Sequence, residues 1–404
     1  MRAPHFLKST AAIAALGTIA GLALAPDALS QTAAPPPARY DMDVGTATGV
    51  GIGSISLSSI LGGGGQNEPR KELFLRLGSS QTASGPRADH FMPEGARLGT
   101  SVPLVTPTRA PDDDQERVPG QRPNERPRGR ILIFWGCGAH APAGQPVIID
   151  LARLSAGQVP PGLFSSTVPR DRSVTFGNSR TYGDWPNNTS RASVRPQSSL
   201  VGAHRIAGNY SPDIAFSLAQ DFMPALNATG TAQADQSTLL NWNSVAAATG
   251  YYAWTMGFRG NPGGEGGDMV MWSSSSSQQF GGALWDWIAP SAVARLVNSR
   301  VVMPPSQTAC VVPMEVKQAA PDFMFGNLYA YGPEANFAYP PRPANARTPW
   351  HPIWTARVRY RASTSWMIGG PGAEAATTPN PNCRRRRGGL GGVLGGVLGG
   401  GSGC

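Results

Sequence analysis

The sequence predicts an all-β protein: two β-sandwich-like domains with glycine- and proline-rich loops, one short inserted helix and disordered termini. Three observations predict it. The chain has 50 glycines and 38 prolines among its 404 residues, a composition that breaks helices and marks turns. Between those breakers stand short runs with apolar residues at every second position, the period of a half-buried strand. One stretch alone, Ser291 to Val302, spaces Val293, Leu296 and Val297 as a helix would, with Ser291 as its expected N-cap after Pro290.

Residues 1–30 read as a signal peptide. Arg2 and Lys8 precede an apolar run from Ala11 to Ala25, and Ala28-Leu29-Ser30 offers small residues for cleavage. The run is short and glycine-interrupted for a membrane span, and no cysteine follows it for lipoprotein processing. The expected location is therefore outside the cytoplasm of a bacterium: periplasm, outer membrane or cell surface. The remaining chain of about 374 residues suggests two domains.

Residues 31–69 form a proline- and glycine-rich segment. Its stretch from Val44 to Gly65 carries no charge, and its apolar residues fit neither period. It reads as flexible chain or as an element that covers a partner or touches membrane. A first β-rich domain is expected over 70–230. In "KELFLRLGS", Leu73, Leu75 and Leu77 alternate with Glu72, Phe74 and Arg76. "RILIFWGCG" (Arg130 to Gly138) is apolar on both faces and predicts a central strand. "PVIIDLARL" gives a strand or short helix, and Ile214, Phe216 and Leu218 give another strand. Residues 108–129 are polar and proline-punctuated, a solvated loop; Asp112 to Asp114 lack the glycine and distal glutamate of a calcium loop.

A second domain is expected over 231–370. Leu240 and Trp242 alternate on a strand, "AAATG" (Ala246 to Gly250) makes a tight corner, and Tyr251 to Met256 is extended again. This order resembles the second and third strands of fibronectin type III-like, immunoglobulin-like β-sandwiches. The resemblance covers about twenty residues and is carried by Trp242, Gly250 and Tyr251. It implies that the tryptophan fills the space between two sheets while the tyrosine opens the facing strand. Asp268 to Ser275, Thr308 to Val316 with Pro313 at an edge or bulge, "FGNLYAYG", and Thr355 to Ser363 add strands. In the last, Ala356, Val358 and Tyr360 alternate with Arg357, Arg359 and Arg361, one face packed and the other arginine-studded. The helix is the departure from that family's pattern.

No specific catalytic motif is present: no nucleophile elbow, no metalloprotease helix, no phosphate-binding loop. No cofactor and no metal site is expected, since the histidines stand singly in sequence. A triad assembled in space would use His204 or His140 as base. Asp184, Asp213, Asp268 and Asp286 lie near Trp185, Trp272, Trp285 and Trp287, as acids and aromatics do in sugar sites. Of these, Trp285, Asp286 and Trp287 are the candidate binding residues, with carbohydrate or an envelope protein as partner. Trp242 is read as core, with ligand stacking as the other reading. Cys137 and Cys310 are either bridged or two buried thiols.

The net charge of +9 falls to +8 without residues 1–30 and to +4 without Arg384 to Arg387. Half of the mature excess is thus one run in the tail (371–404), not a basic face, and nucleic acid is not an expected partner. Arg384, Arg385, Arg386 and Arg387 beside a glycine–valine–leucine repeat predict weak contact with an anionic membrane surface. The function expected is an exported bacterial cell-envelope protein acting as a binding or surface-interaction module. The alternative is a periplasmic carbohydrate-active or other hydrolytic enzyme.

Overall fold

The computed structural model describes residues 36–49, 69–107, 129–153, 162–166, 168, 173–187, 189–260, 267–321, 323–345 and 347–369. The readings of residues 1–30, of most of Val44 to Gly65, of the 108–129 loop and of the tail with Arg384 to Arg387 lie outside them. The fold is all-β, as the glycine, proline and period-two runs predict. In chain order the strands are β1 (Ala38–Gly49), β2 (Arg70–Ser79), β3 (Ala88–Phe91), β4 (Ser101–Leu104), β5 (Arg130–Trp135), β6 (Val147–Asp150), β7 (Thr181–Trp185) and β8 (Gly202–Gly208). There follow β9 (Ile214–Leu218), β10 (Ala228–Ala232), β11 (Thr238–Trp242), β12 (Gly250–Arg259), β13 (Asp268–Ser273), β14 (Ala309–Val312), β15 (Phe323–Tyr339) and β16 (Trp354–Gly369). Two helices, α1 (Pro290–Asn298) and α2 (Met314–Ala319), lie on either side of β14 in sequence.

Three sheets result. The largest has nine strands in the order β6-β5-β13-β12-β15-β16-β1-β2-β7; the others are β4-β3-β8-β9 and β10-β11-β14. One face of the large sheet, with Tyr40, Met42, Val44, Leu75, Val358 and Tyr360, packs against Ile206, Ile214, Leu240 and Trp242 of the small sheets. The other face presents Ile131, Ile133, Tyr252, Trp254 and Phe325 to Phe280, Leu284, Val293 and Leu296. Strand alternation sends neighbours to opposite faces, so the large sheet is buried twice.

The division expected at residue 230 does not fall between sheets. Strands from both sides of it share the large sheet, because β16 pairs in parallel with β1 from Ala38↔Trp354 to Gly49↔Ser365. The segment expected as a proline-rich lead before residue 70 thus contains β1, a strand with neighbours on both sides. Local periodicity carries no sign of a pairing between strands this far apart in sequence. β5 is flanked on both sides, as its doubly apolar pattern requires, but it is second from the edge. β14 is an edge strand and Pro313 follows it, capping α2. The first helix begins at Pro290, with Ala289 rather than Ser291 at the N-cap; proline suits the first turn because its missing N–H has no acceptor there.

Around the corner that carries the fibronectin-like resemblance, Trp242 on β11 and Tyr251 on β12 belong to different sheets. Their ring centroids are 5.6 Å apart, and the Val245 amide donates to the Tyr251 hydroxyl at 3.0 Å. Trp242 is core. Among the described residues, no helix is long and apolar enough to cross a membrane.

Candidate functional site

The arginine face of β16 is where the chain's charges and its candidate binding residues meet. Alternation puts Arg357, Arg359 and Arg361 on one face, and the parallel register sets them opposite Asp41, Asp43 and Gly45 of β1. Arg359 is 2 % exposed. Its Nε and Nη2 donate to the two oxygens of Asp43 at 2.7 and 2.9 Å, the bidentate geometry that suits guanidinium to carboxylate. Arg76 of β2 also donates to Asp43. Arg357 repeats the arrangement on Asp41 at 3.2 and 3.0 Å. Burial alone would raise the Asp43 pKa, but Arg76 and then Arg359 outweigh it and hold the carboxyl below its ordinary value. The sequence reading left this face arginine-studded and unpacked. It is packed, because Asp41 and Asp43 neutralise it and a cover lies over it.

That cover is the Trp285-Asp286-Trp287 stretch. It leaves a short 3-10 turn (Gly282–Trp285) and leads into α1. Arg361 Nη1 donates to the Trp285 carbonyl at 2.5 Å, and Arg359 Nη1 to the Trp287 carbonyl at 2.7 Å. The Arg361 guanidinium lies 3.7 Å from the Trp287 ring centroid and 4.7 Å from that of Tyr329. Trp287 also meets Phe74 edge-on at 5.6 Å. Trp285 packs among Trp254, Phe280 and Phe164 at 5.1, 5.5 and 5.9 Å. Both indole N–H groups are buried and have no acceptor among the described residues. A sugar platform would present a ring face and the N–H outward; here the rings are engaged by protein. Asp286 accepts the Trp287 amide at 2.7 Å.

Glycine makes this cover possible at one position. Gly281 has φ +59°, and a Cβ there would stand 2.8 Å from the Phe164 ring and 2.9 Å from the Trp285 ring.

The remaining acids near aromatics have separate partners. Asp268 is held by Arg130 at 2.9 and 2.6 Å, and Asp213 by Arg205 at 2.9 and 2.7 Å. Trp185 and Trp272 are in the core beneath the small sheets. Asp184 on β7 has its pKa raised by burial, with the Tyr182 hydroxyl and Arg76 offsetting part of the shift.

Of the two candidate bases, His140 is at the surface with Nδ1 3.1 Å from Glu315 Oε1. His204 is inside, in a chain of hydrogen bonds that sequence spacing did not show. Its Nε2 is 2.7 Å from the Leu200 carbonyl, its Nδ1 3.0 Å from His90 Nε2, and His90 Nδ1 2.7 Å from the Tyr40 hydroxyl. A carbonyl only accepts, so His204 Nε2 donates to it; each neutral imidazole then accepts at Nδ1, and Tyr40 supplies the last proton. Burial lowers the pKa of both histidines, and His90 is pushed furthest, with the neighbouring His204 adding to the effect.

Cys137, just past β5, and Cys310, in β14, form a disulfide with Cα atoms 5.2 Å apart. Among the described residues, no group of three or more histidines, cysteines and acids is placed to hold a metal ion. Asp41, Asp43 and His90 are the buried residues that sequence reasoning missed. The aspartates of "YDMD" share the period of two and the opposite charge of the arginines in "RVRYR", but only the pairing of β1 with β16 brings them together. Comparison with protein-family models, with curated proteins and with solved structures gives no match for this chain.

Proposed function

We propose that the chain is an exported bacterial cell-envelope protein that acts as a binding or surface-interaction module, with the fibronectin-like corner as part of its scaffold. The observation that carries this reading is the Cys137–Cys310 bridge, since disulfides form and persist in oxidising compartments. The engaged state of the titratable groups supports binding over catalysis: Asp41 and Asp43 hold arginines, and His90 and His204 hold each other. Expression of the full chain in a bacterial host, followed by fractionation and alkylation in denaturant without reductant, tests the compartment. The expected result is protein in the envelope fraction with Cys137 and Cys310 unmodified. Recovery from the cytosol with both thiols alkylated sinks the reading.

One observation favours the alternative, a periplasmic hydrolase. Asp184 is a carboxyl with a raised pKa, which a general acid needs. Sugar release from a panel of envelope polysaccharides that is lost in Asp184→Asn would move the assignment to that enzyme.

A further inference from the structure

β16 is accompanied by β1 as far as Trp354, but β15 outruns its own outer neighbour. β12 accompanies β15 only as far as Gly250↔Tyr331, whereas the pairing with β16 continues, past a bulge, from Glu334↔Arg359 to Tyr339↔Trp354. Among the described residues, Glu334 to Ala338 therefore pair on the β16 side alone. In an antiparallel pair alternate residues turn both N–H and C=O away from their partner, so this half of β15 is an open sheet edge.

The tip beyond that edge is aromatic and cationic. Tyr339 is 56 % exposed and Ile353 45 %. Tyr339 is stacked on Trp354 at 6.4 Å. Arg342 lies over the Trp350 ring at 5.5 Å, and the Trp350 indole donates to the Pro340 carbonyl at 3.0 Å, so the tip is held in shape. Arg342, Arg347 and His351 are exposed. The single carboxylate of residues 333–353 is Glu334, which accepts from Asn336 at 2.7 Å.

We infer that the open edge of β15, Pro333 to Tyr339, takes up an extended acidic segment of a partner protein as an added strand, with Arg342 and Arg347 meeting its carboxylates. The inference rests on reading the chain as a binding module and names the surface and the partner chemistry. Added strands gain affinity from main-chain hydrogen bonds and specificity from side chains at alternate positions. The unpaired backbone favours a peptide over a polysaccharide, which has no amides to continue a ladder. The positive, acid-poor tip selects the sign of the partner's charge.

The test uses the full chain and two short synthetic peptides, one alternating glutamate and valine, the other lysine and valine, with polygalacturonate as a polyanion without a peptide backbone. Binding is read by tryptophan fluorescence, and the site by amide hydrogen exchange. The glutamate peptide should bind, slow exchange across residues 333–339, and bind about tenfold more weakly to the Arg342→Glu/Arg347→Glu variant. Both substitutions are in the exposed loop, so the melting temperature of that variant should match the wild type. Equal binding of the lysine peptide, exchange protection elsewhere, or binding of polygalacturonate alone would overturn the inference. So would protection of the same amides by self-association, which would give the edge to a second copy. Each of those failures leaves export and the disulfide intact, and the proposed function fails separately, on fractionation and thiol state.

Discussion

Asp43 is one carboxylate between two guanidiniums, and removing its charge leaves Arg76 and Arg359 facing each other in the sheet. Breaking a buried pair from one side costs about 3–5 kcal/mol, so Asp43→Asn should lower unfolding stability in urea by that order. Asp43→Leu combined with Arg359→Met should cost less than the two single changes added together, since Arg359 is then no longer stranded and only Arg76 has lost its carboxylate. Additive losses would show that the pair is energetically idle. The histidine chain answers to pH in another window. His90 and His204 have folded pKa values below the ordinary 6.5, so the unfolded chain binds more protons at mildly acid pH. Their contribution to stability is complete above about pH 6.5 and falls as pH drops beneath it, by up to about 1.4 kcal/mol per pH unit per histidine. Asp43, with its folded pKa lowered, adds its own loss only in the carboxylate range further down. Urea melts across this range should show the first decline in the wild type and a shallower one in His90→Gln; an unchanged slope would exclude the buried pair as its source. Trp242, between two sheets, belongs to a simpler class: Trp242→Ala should cost about 3–5 kcal/mol through the cavity it leaves, read as a lower melting temperature.

At the scale of elements, strands whose inward faces are apolar were legible, and the strand whose one face carries acids that meet arginines far along the chain was not. Leu73, Leu75 and Leu77 on β2, and Ile214, Phe216 and Leu218 on β9, alternate cleanly and point inward as expected. β1 was read as part of a lead segment because prolines precede it and its residues show no core-forming pattern, and nothing local announces that β16 brings Asp41 and Asp43 counter-charges. The same blindness applied to Trp285 and Trp287. Their proximity to an acid suggested a sugar site, yet both backbone carbonyls and the Trp287 ring face serve the arginines below, a role with no sequence signature. The disulfide was a matter of even alternatives for the same reason: strand character at both cysteines does not tell which strands approach. It joins the end of β5, in the large sheet, to β14, in the three-stranded sheet, across a sequence separation of 173 residues. Closing so long a loop restricts the unfolded chain strongly, and loss of such a bridge typically costs about 2–5 kcal/mol. Cys137→Ser with Cys310→Ser should show a loss of that size in urea, while the wild type unfolded without reductant should show neither thiol free. A double serine variant as stable as the wild type would mean that the two sheets are held by packing alone.

On the scale of the whole molecule, the sheet has two dissimilar ends. β1 and β16 run parallel, so Gly49 and Gly369 stand at one end, while the β15–β16 tip stands at the other, beside the start of β1. The sequence that follows Gly49 is uncharged as far as Gly65, and the sequence that follows Gly369 includes Arg384 to Arg387. Those arginines should attract anionic lipid at about 1 kcal/mol each near the surface, a total that gives reversible attachment and fades as salt shortens the screening length. The expected outcome is sedimentation with anionic vesicles at low salt, lost on deleting Cys383 to Cys404 with no change in melting temperature. Equal sedimentation of the truncated protein would leave any membrane contact to the uncharged stretch alone. If the tail arginines alone make the lipid contact, Arg342→Glu/Arg347→Glu should sediment with vesicles as the wild type does while binding the acidic peptide more weakly. A variant that lost both together would place lipid and peptide on the same cationic tip, and the tail would no longer be needed to explain the lipid contact.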